Sequence, residues 1–178
     1  MVVTAAASPP RPVLMLDIDG VLAPLDRRQQ GCTYRSVDAG GWQGAVTVVV
    51  EVIEALRDLI TRRIVDARWL TSWENEARTC FAPAVGLPRL PVYGASDAPV
   101  RADEVWWKTG VVERYLAEAE RRVMWVDDEL TVHGALDLAI TDTRLRLLEI
   151  DPLVGLTLDD LATIKSWATG DGIRRDEQ

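Results

Sequence analysis

The sequence predicts an α/β protein built on a doubly wound, mostly parallel five-stranded sheet without a large cap domain. Short apolar runs of strand length alternate with segments whose apolar residues recur at helical spacing, the pattern of βα repeats. Three of those runs end in acidic or hydroxyl residues, as expected of a sheet whose site lies at the carboxyl ends of its strands. The composition, 48% hydrophobic and 27% charged over 178 residues, is that of one ordinary globular domain.

The start is rich in small residues and proline and lacks a basic segment leading into a long apolar one, so residues 1–11 read as a disordered tail and not a signal peptide. A single domain over 12–170 and a short tail over 171–178 follow. The first strand, from Val13, runs into Asp17-Ile18-Asp19-Gly20-Val21-Leu22. If the backbone stays extended, Asp17 and Asp19 point to the same side. Asp26 to Gly44 is polar and glycine-rich and suits a small hairpin or flap around Tyr34 and Trp42, with Val46 to Val50 extended behind it. From Glu51, the positions Val52, Ile53, Leu56, Leu59 and Ile60 mark one face of a helix.

The second strand, Val65 to Leu70, ends at Thr71-Ser72-Trp73, and a helix is expected to start at once at Glu74, with Thr71 and Glu74 forming a capping box. Pro83, Gly86 and Pro88 should break it. Leu90 to Tyr93 is the third strand, followed by a loop over Gly94 to Asp103. Lys108 then falls in the first turn of a helix whose apolar face is Val111, Val112, Tyr115, Leu116 and Ala119. The fourth strand, Val123 to Val126, ends in Asp127-Asp128-Glu129. A helix through Leu136 and Ile140 leads to the fifth strand, Leu145 to Ile150. Thr157 and Asp160 form a capping box for a last helix through Leu161, Ile164 and Trp167, stopped by Gly170.

The net charge of -8 and pI near 4.7 disfavour extended binding along a nucleic-acid backbone, which needs a basic face. The arginine pairs at 62–63, 121–122 and 174–175 read as solvated charge. No apolar run approaches the roughly 20 residues of a membrane helix. Cys32 and Cys80 stand far apart and His133 is the only histidine, which speaks against structural zinc and for a reducing, cytoplasmic setting.

The chemistry concentrates at three strand ends. Asp17, Asp19, Asp127 and Asp128 put four carboxylates near one sheet edge, which calls for a bound cation or raised pKa values. Mg²⁺, a hard ion that takes carboxylate, carbonyl and water oxygens, fits that donor set. Thr71 and Ser72 lie where a helix start offers free N–H groups to a phosphate. Lys108 faces the unfavourable end of a helix dipole and gains from an anion nearby. Trp73 and Trp42 are candidates to line a pocket, the remaining tryptophans are expected mainly in the core, and His133 reads as a surface or packing residue.

Asp17-x-Asp19-Gly-Val-Leu after an apolar strand, Thr71 at the end of the second, Lys108 at a helix start and Asp127-Asp128 after Trp125-Val126 resemble, in order and context, the four motifs of the haloacid dehalogenase (HAD) superfamily. The Trp-Leu-Thr-Ser-Trp and Trp-Trp-Lys-Thr pieces also look like the small HAD-like domains related to those in bacterial "Swiss army knife" RNA-repair proteins. The resemblance implies a Rossmann-like sheet of order 5-4-1-2-3 and a phosphatase acting on a phosphorylated substrate, small or macromolecular. It implies Asp17 as nucleophile and Mg²⁺ ligand, with Asp19 as general acid and base that also lends its backbone carbonyl to the metal. Thr71 and Lys108 would hold phosphoryl oxygens, with Ser72 beside them, and Asp127 and Asp128 would complete the metal site.

A metal-independent dehalogenase would not need the acids at Asp19, Asp127 and Asp128. A phospho-acceptor receiver domain would end its third strand in the acceptor Asp, where this chain has Tyr93. A non-catalytic or regulatory domain of the same fold, and a phosphatase of nucleic-acid ends, are the remaining alternatives. Without a cap the site is expected to be open unless a second copy of the chain or another partner covers it.

Overall fold

Strand β1 (Val13–Leu16) is buried on both faces, and it occupies the centre of the sheet. The computed structural model describes residues 10–26, 32–39, 42–98 and 106–170; the expected tails, apart from residues 10 and 11, lie outside them. β1 pairs in parallel with β4 (Asp66–Leu70) on one side and β6 (Val123–Asp127) on the other, while β5 (Val92–Tyr93) and β7 (Leu145–Glu149) add the edges. The order β5-β4-β1-β6-β7 is the expected one read from the opposite edge.

Side chains alternate along each central strand, so the sheet sorts its residues onto two cores. Leu14, Leu16, Ala67, Trp69, Met124 and Val126 face helices α1 (Val50–Thr61) and α6 (Leu158–Thr169). Val13, Met15, Leu70, Val123 and Trp125 face α4 (Trp107–Glu118) and α5 (Ala135–Thr141). Continuing that parity, Asp17 and Asp127 belong to the α4 side, and α4 carries Lys108 in its first turn.

Between β1 and α1 the chain forms an antiparallel hairpin, β2 (Cys32–Ala39) with β3 (Trp42–Val49), which absorbs both the expected flap and the extended run behind it. Val37, Val46 and Val48 anchor it in the α1-side core. The side chains of Tyr34 and Trp42, and the loop at 99–105, lie outside the described residues.

The segment after β4 departs from expectation. The Thr71–Glu74 capping box does not form. Thr71 Oγ1 instead accepts from the Trp73 N–H at 3.4 Å, and Glu74 takes a φ of 45°. Only one turn follows, α2 (Glu74–Glu76), then a π-helical stretch at Ala77–Phe81 and α3 (Ala82–Val85). Pro83 therefore lies inside α3 and does not end it. A wider turn just before a proline is a natural place to accommodate the missing N–H donor. Gly86 ends the segment with a φ of 81°.

Helix α5 also differs. Leu136 and Ile140 are exposed, while Ala135 is buried and Leu138 and Ala139 pack half-buried beside it. The α6 capping box forms as expected, with the Asp160 N–H donating to Thr157 Oγ1 at 3.2 Å, and Gly170 closes the helix in the left-handed conformation.

Candidate active site

Asp17 is the first residue past β1, and its N–H donates to the Val126 carbonyl at 3.2 Å, so the strand pairing carries it alongside Asp127. Directly beyond it the chain turns sharply. The Ile18 carbonyl accepts from the N–H groups of Val21, Leu22 and Ala23, which brings Asp19 out of the strand direction. Gly20 makes this possible, since it has a φ of 70° and a Cβ there would overlap the Asp128 carboxylate.

Lys108 Nζ donates to Asp17 Oδ2 at 2.5 Å and to Asp127 Oδ2 at 2.7 Å. All three side chains are buried. Two carboxylates share one ammonium, and Asp128 adds a third acid: oxygens of Asp17, Asp127 and Asp128 come within 4.8 Å of one another. Burial, opposed by those carboxylates, leaves the Lys108 pKa above its ordinary value. Burial and the Asp17 charge push Asp127 up, against the pull of Lys108. Burial, then Asp127, raises Asp128 to about 6. The cluster thus holds more negative charge than its one lysine offsets. A donor set of three hard carboxylates suits Mg²⁺.

Other contacts fix these groups. Trp125, two residues before Asp127 on the same face of β6, donates its Nε1–H to Asp127 Oδ2 at 3.2 Å, and the Glu129 N–H donates to Oδ1 at 3.2 Å. Trp106 stacks between Trp125 and His133, with centroids 5.3 and 4.4 Å away, and Lys108 Nζ sits 4.9 Å from its ring centre. His133 is thus a packing residue at the rim of this aromatic stack.

Asp19 keeps an open edge to solvent, and its carboxylate lies outside the three-acid cluster. Its Oδ2 accepts from Trp73 Nε1 at 2.8 Å. Partial burial raises its pKa, the Trp73 bond lowers it, and the Asp17 charge raises it again, for a net rise. Thr71 is fully buried at the β4 end, and Ser72 is exposed beside it.

A cleft of about 540 Å³ opens next to Asp19, between β3 of the hairpin and the Ser72–Glu76 segment. Trp73 forms part of its wall, as the sequence suggested. Thr47 was not anticipated: it is 3% exposed, lines the cleft, and its Oγ1 has no hydrogen-bond partner among the described residues. The available signal was one hydroxyl residue interrupting the apolar run from Val46 to Val50.

A match to the family described as "HAD domain in Swiss Army Knife RNA repair proteins" covers residues 13–161, from β1 into α6. The chain belongs to that family. A search of curated proteins finds no match. The matched span of this HAD domain contains every site residue named above. It has a Rossmann-like α/β architecture with no large cap, and no helix among the described residues is long and apolar enough to cross a membrane.

Proposed function

We propose that this HAD domain is a Mg²⁺-dependent phosphohydrolase that cleaves a phosphate monoester through an aspartyl-phosphate on Asp17, acting in the cytoplasm. The observation that carries the reading is the placement of Lys108 between Asp17 and Asp127. An ammonium has three donors. Two are committed to the carboxylates, which leaves one for a phosphoryl oxygen arriving at Asp17.

Asp17, Asp127 and Asp128 would hold the metal, which neutralises charge on the phosphoryl oxygens. Asp17 attacks phosphorus with one carboxylate oxygen. The bond from phosphorus to the ester oxygen breaks, and that oxygen takes the proton carried by Asp19. Asp19, now a carboxylate, removes a proton from water as the water oxygen attacks phosphorus. The bond between Asp17 and phosphorus then breaks, releasing phosphate and restoring both acids. Burial, and after it the Asp17 charge, hold the Asp19 pKa above its ordinary value against the Trp73 hydrogen bond. Lys108, with Thr71 and Ser72 at the strand end, would bind phosphoryl oxygens.

The family description names RNA repair proteins, which supports a second reading in which the ester is a nucleic-acid end. The test of the first is release of inorganic phosphate from 4-nitrophenyl phosphate with Mg²⁺. Turnover that survives Asp17→Asn would overturn it.

A further inference from the structure

The cleft beside Asp19 is separate from the buried Lys108, Asp17 and Asp127 set, and it has its own chemistry. We infer that it is the subsite for the leaving group, that it admits an uncharged, largely apolar alcohol portion, and that Trp73 is the positioning residue that aligns Asp19 with it. This inference rests on the phosphohydrolase reading and names the substrate class for that same site.

Position supports the assignment. In an in-line displacement the leaving oxygen departs opposite the attacking Asp17 oxygen, and it must be within reach of the acid that protonates it. Asp19 is that acid, and it lines the cleft. The alcohol portion therefore projects into this space.

Charge and polarity define what fits. The charged residues among the described lining are Asp19 and Glu76, both acidic. A second phosphate there would meet two carboxylates, with Lys108 acting on Asp19 only from the neighbouring buried set. The rest of the wall combines apolar side chains, including Val46, Trp73 and the 58% exposed Leu25, with the hydroxyl residues Thr47 and Ser72. Thr47 contributes a buried hydroxyl without a hydrogen-bond partner among the described residues, which a polar atom on the ligand would satisfy.

Trp73 joins recognition to proton transfer. Its Nε1–H donates to Oδ2 of Asp19 and so fixes the orientation of that carboxyl group, with Oδ1 left to face the cleft side. The same indole is part of the cleft wall and rests edge-on against Phe81. Trp73→Phe keeps a ring at the wall and on Phe81 but removes the N–H. Trp73→Ala removes both.

The test is steady-state hydrolysis by the full chain with Mg²⁺. The substrates are 4-nitrophenyl phosphate, phenethyl phosphate, a carboxylated phenethyl phosphate and a 5′-phosphorylated oligoribonucleotide. The wild type should prefer phenethyl phosphate to the two anionic substrates in kcat/KM by about tenfold or more, the scale of one unfavourable charge contact. Trp73→Phe should lower kcat on phenethyl phosphate by about 10- to 100-fold, as expected when proton delivery is impaired. With the acidic nitrophenol ester, whose leaving oxygen needs no proton, it should spare the pre-steady-state burst of nitrophenol that reports phosphorylation of Asp17, while the Asp19-dependent breakdown step slows with every substrate. Trp73→Ala should in addition raise KM for the ring-bearing esters. An active protein that prefers the oligonucleotide or the carboxylated ester, or in which Trp73→Phe slows the transfer step, read by single turnover, equally for good and poor leaving groups, overturns this inference alone. A wild type inert on all four substrates overturns the phosphohydrolase reading and the inference with it.

Discussion

Lys108 and Asp17, 91 positions apart in sequence, are joined by a 2.5 Å hydrogen bond inside the protein. Removing the lysine leaves Asp17 and Asp127 facing each other without their shared cation, and breaking a buried pair typically costs about 3–5 kcal/mol. Lys108→Ala should therefore lower stability by several kcal/mol and reduce phosphatase turnover by about 10²-fold or more. Lys165, exposed on α6, should tolerate the same change in both assays. Denaturant titration and kcat measured on both variants provide the check.

The two acids of the first motif should separate by their chemistry. Asp17→Asn should form no covalent intermediate. Asp19→Asn, given Mg²⁺ and an activated ester, should accumulate a phosphoryl group on Asp17, because breakdown needs a base for water and formation with a good leaving group does not. Intact-protein mass spectrometry with peptide mapping reads the outcome, and a phosphoryl group on another residue would contradict it.

Mg²⁺ should stabilise the fold as well as support turnover. Relief of repulsion in the three-acid cluster occurs only in the folded chain, so the transition temperature should rise with Mg²⁺. At 100 times the dissociation constant the gain should be about 2.7 kcal/mol. Chelator should abolish activity and the shift together. The Asp127→Asn, Asp128→Asn double variant should show little of the shift.

Gly20→Ala places a methyl group against Asp128 and puts a non-glycine residue at a φ of 70°. The backbone cost alone is about 1–2 kcal/mol. On the proposed reading the displaced Asp128 should also weaken the Mg²⁺ response. A thermal titration of the variant with Mg²⁺ measures both effects.

Asp66 gives the pH prediction. Burial acts to raise its pKa, but hydrogen bonds and charge from Arg121 and Arg68 bring it below the ordinary 3.8. Arg121 also donates to the Arg11 carbonyl, so the pair helps hold the entry to β1 on β4. With the folded value depressed, the stabilisation is complete above the unfolded pKa and is lost as pH falls through the folded one. Asp66→Asn should cost about 1 kcal/mol near neutrality, the scale of a partly exposed pair. The difference from wild type should shrink below pH 3.8, as denaturant curves at several pH values would reveal.

The parts of this architecture visible in sequence are those governed by local period. Strand parity places Asp17 and Asp127 on the α4 side, and the terminal Thr157–Asp160 box follows from spacing alone. The Thr71–Glu74 box had the same local signal, yet an equally local bond from the Trp73 N–H takes the Thr71 hydroxyl, and Glu74 packs beside Gly94, a tertiary contact. Pro83 looked like a helix breaker because the π-helical turn before it leaves no trace in residue type. The bond from Trp73 to Asp19 spans 54 positions and has no local signature, so the sequence could offer Trp73 only as a pocket wall.

The two rims of the main sheet differ in a way that bears on self-association. β5 contributes only two residues, too few backbone groups to recruit a long strand from another molecule. β7 presents a five-residue rim, and its Arg146 and Glu149 are exposed. Within the main sheet, edge-to-edge growth of aggregates at high concentration would therefore proceed through β7. Replacing those two charges with valines would be the shortest route from a dispersed protein to one that stacks.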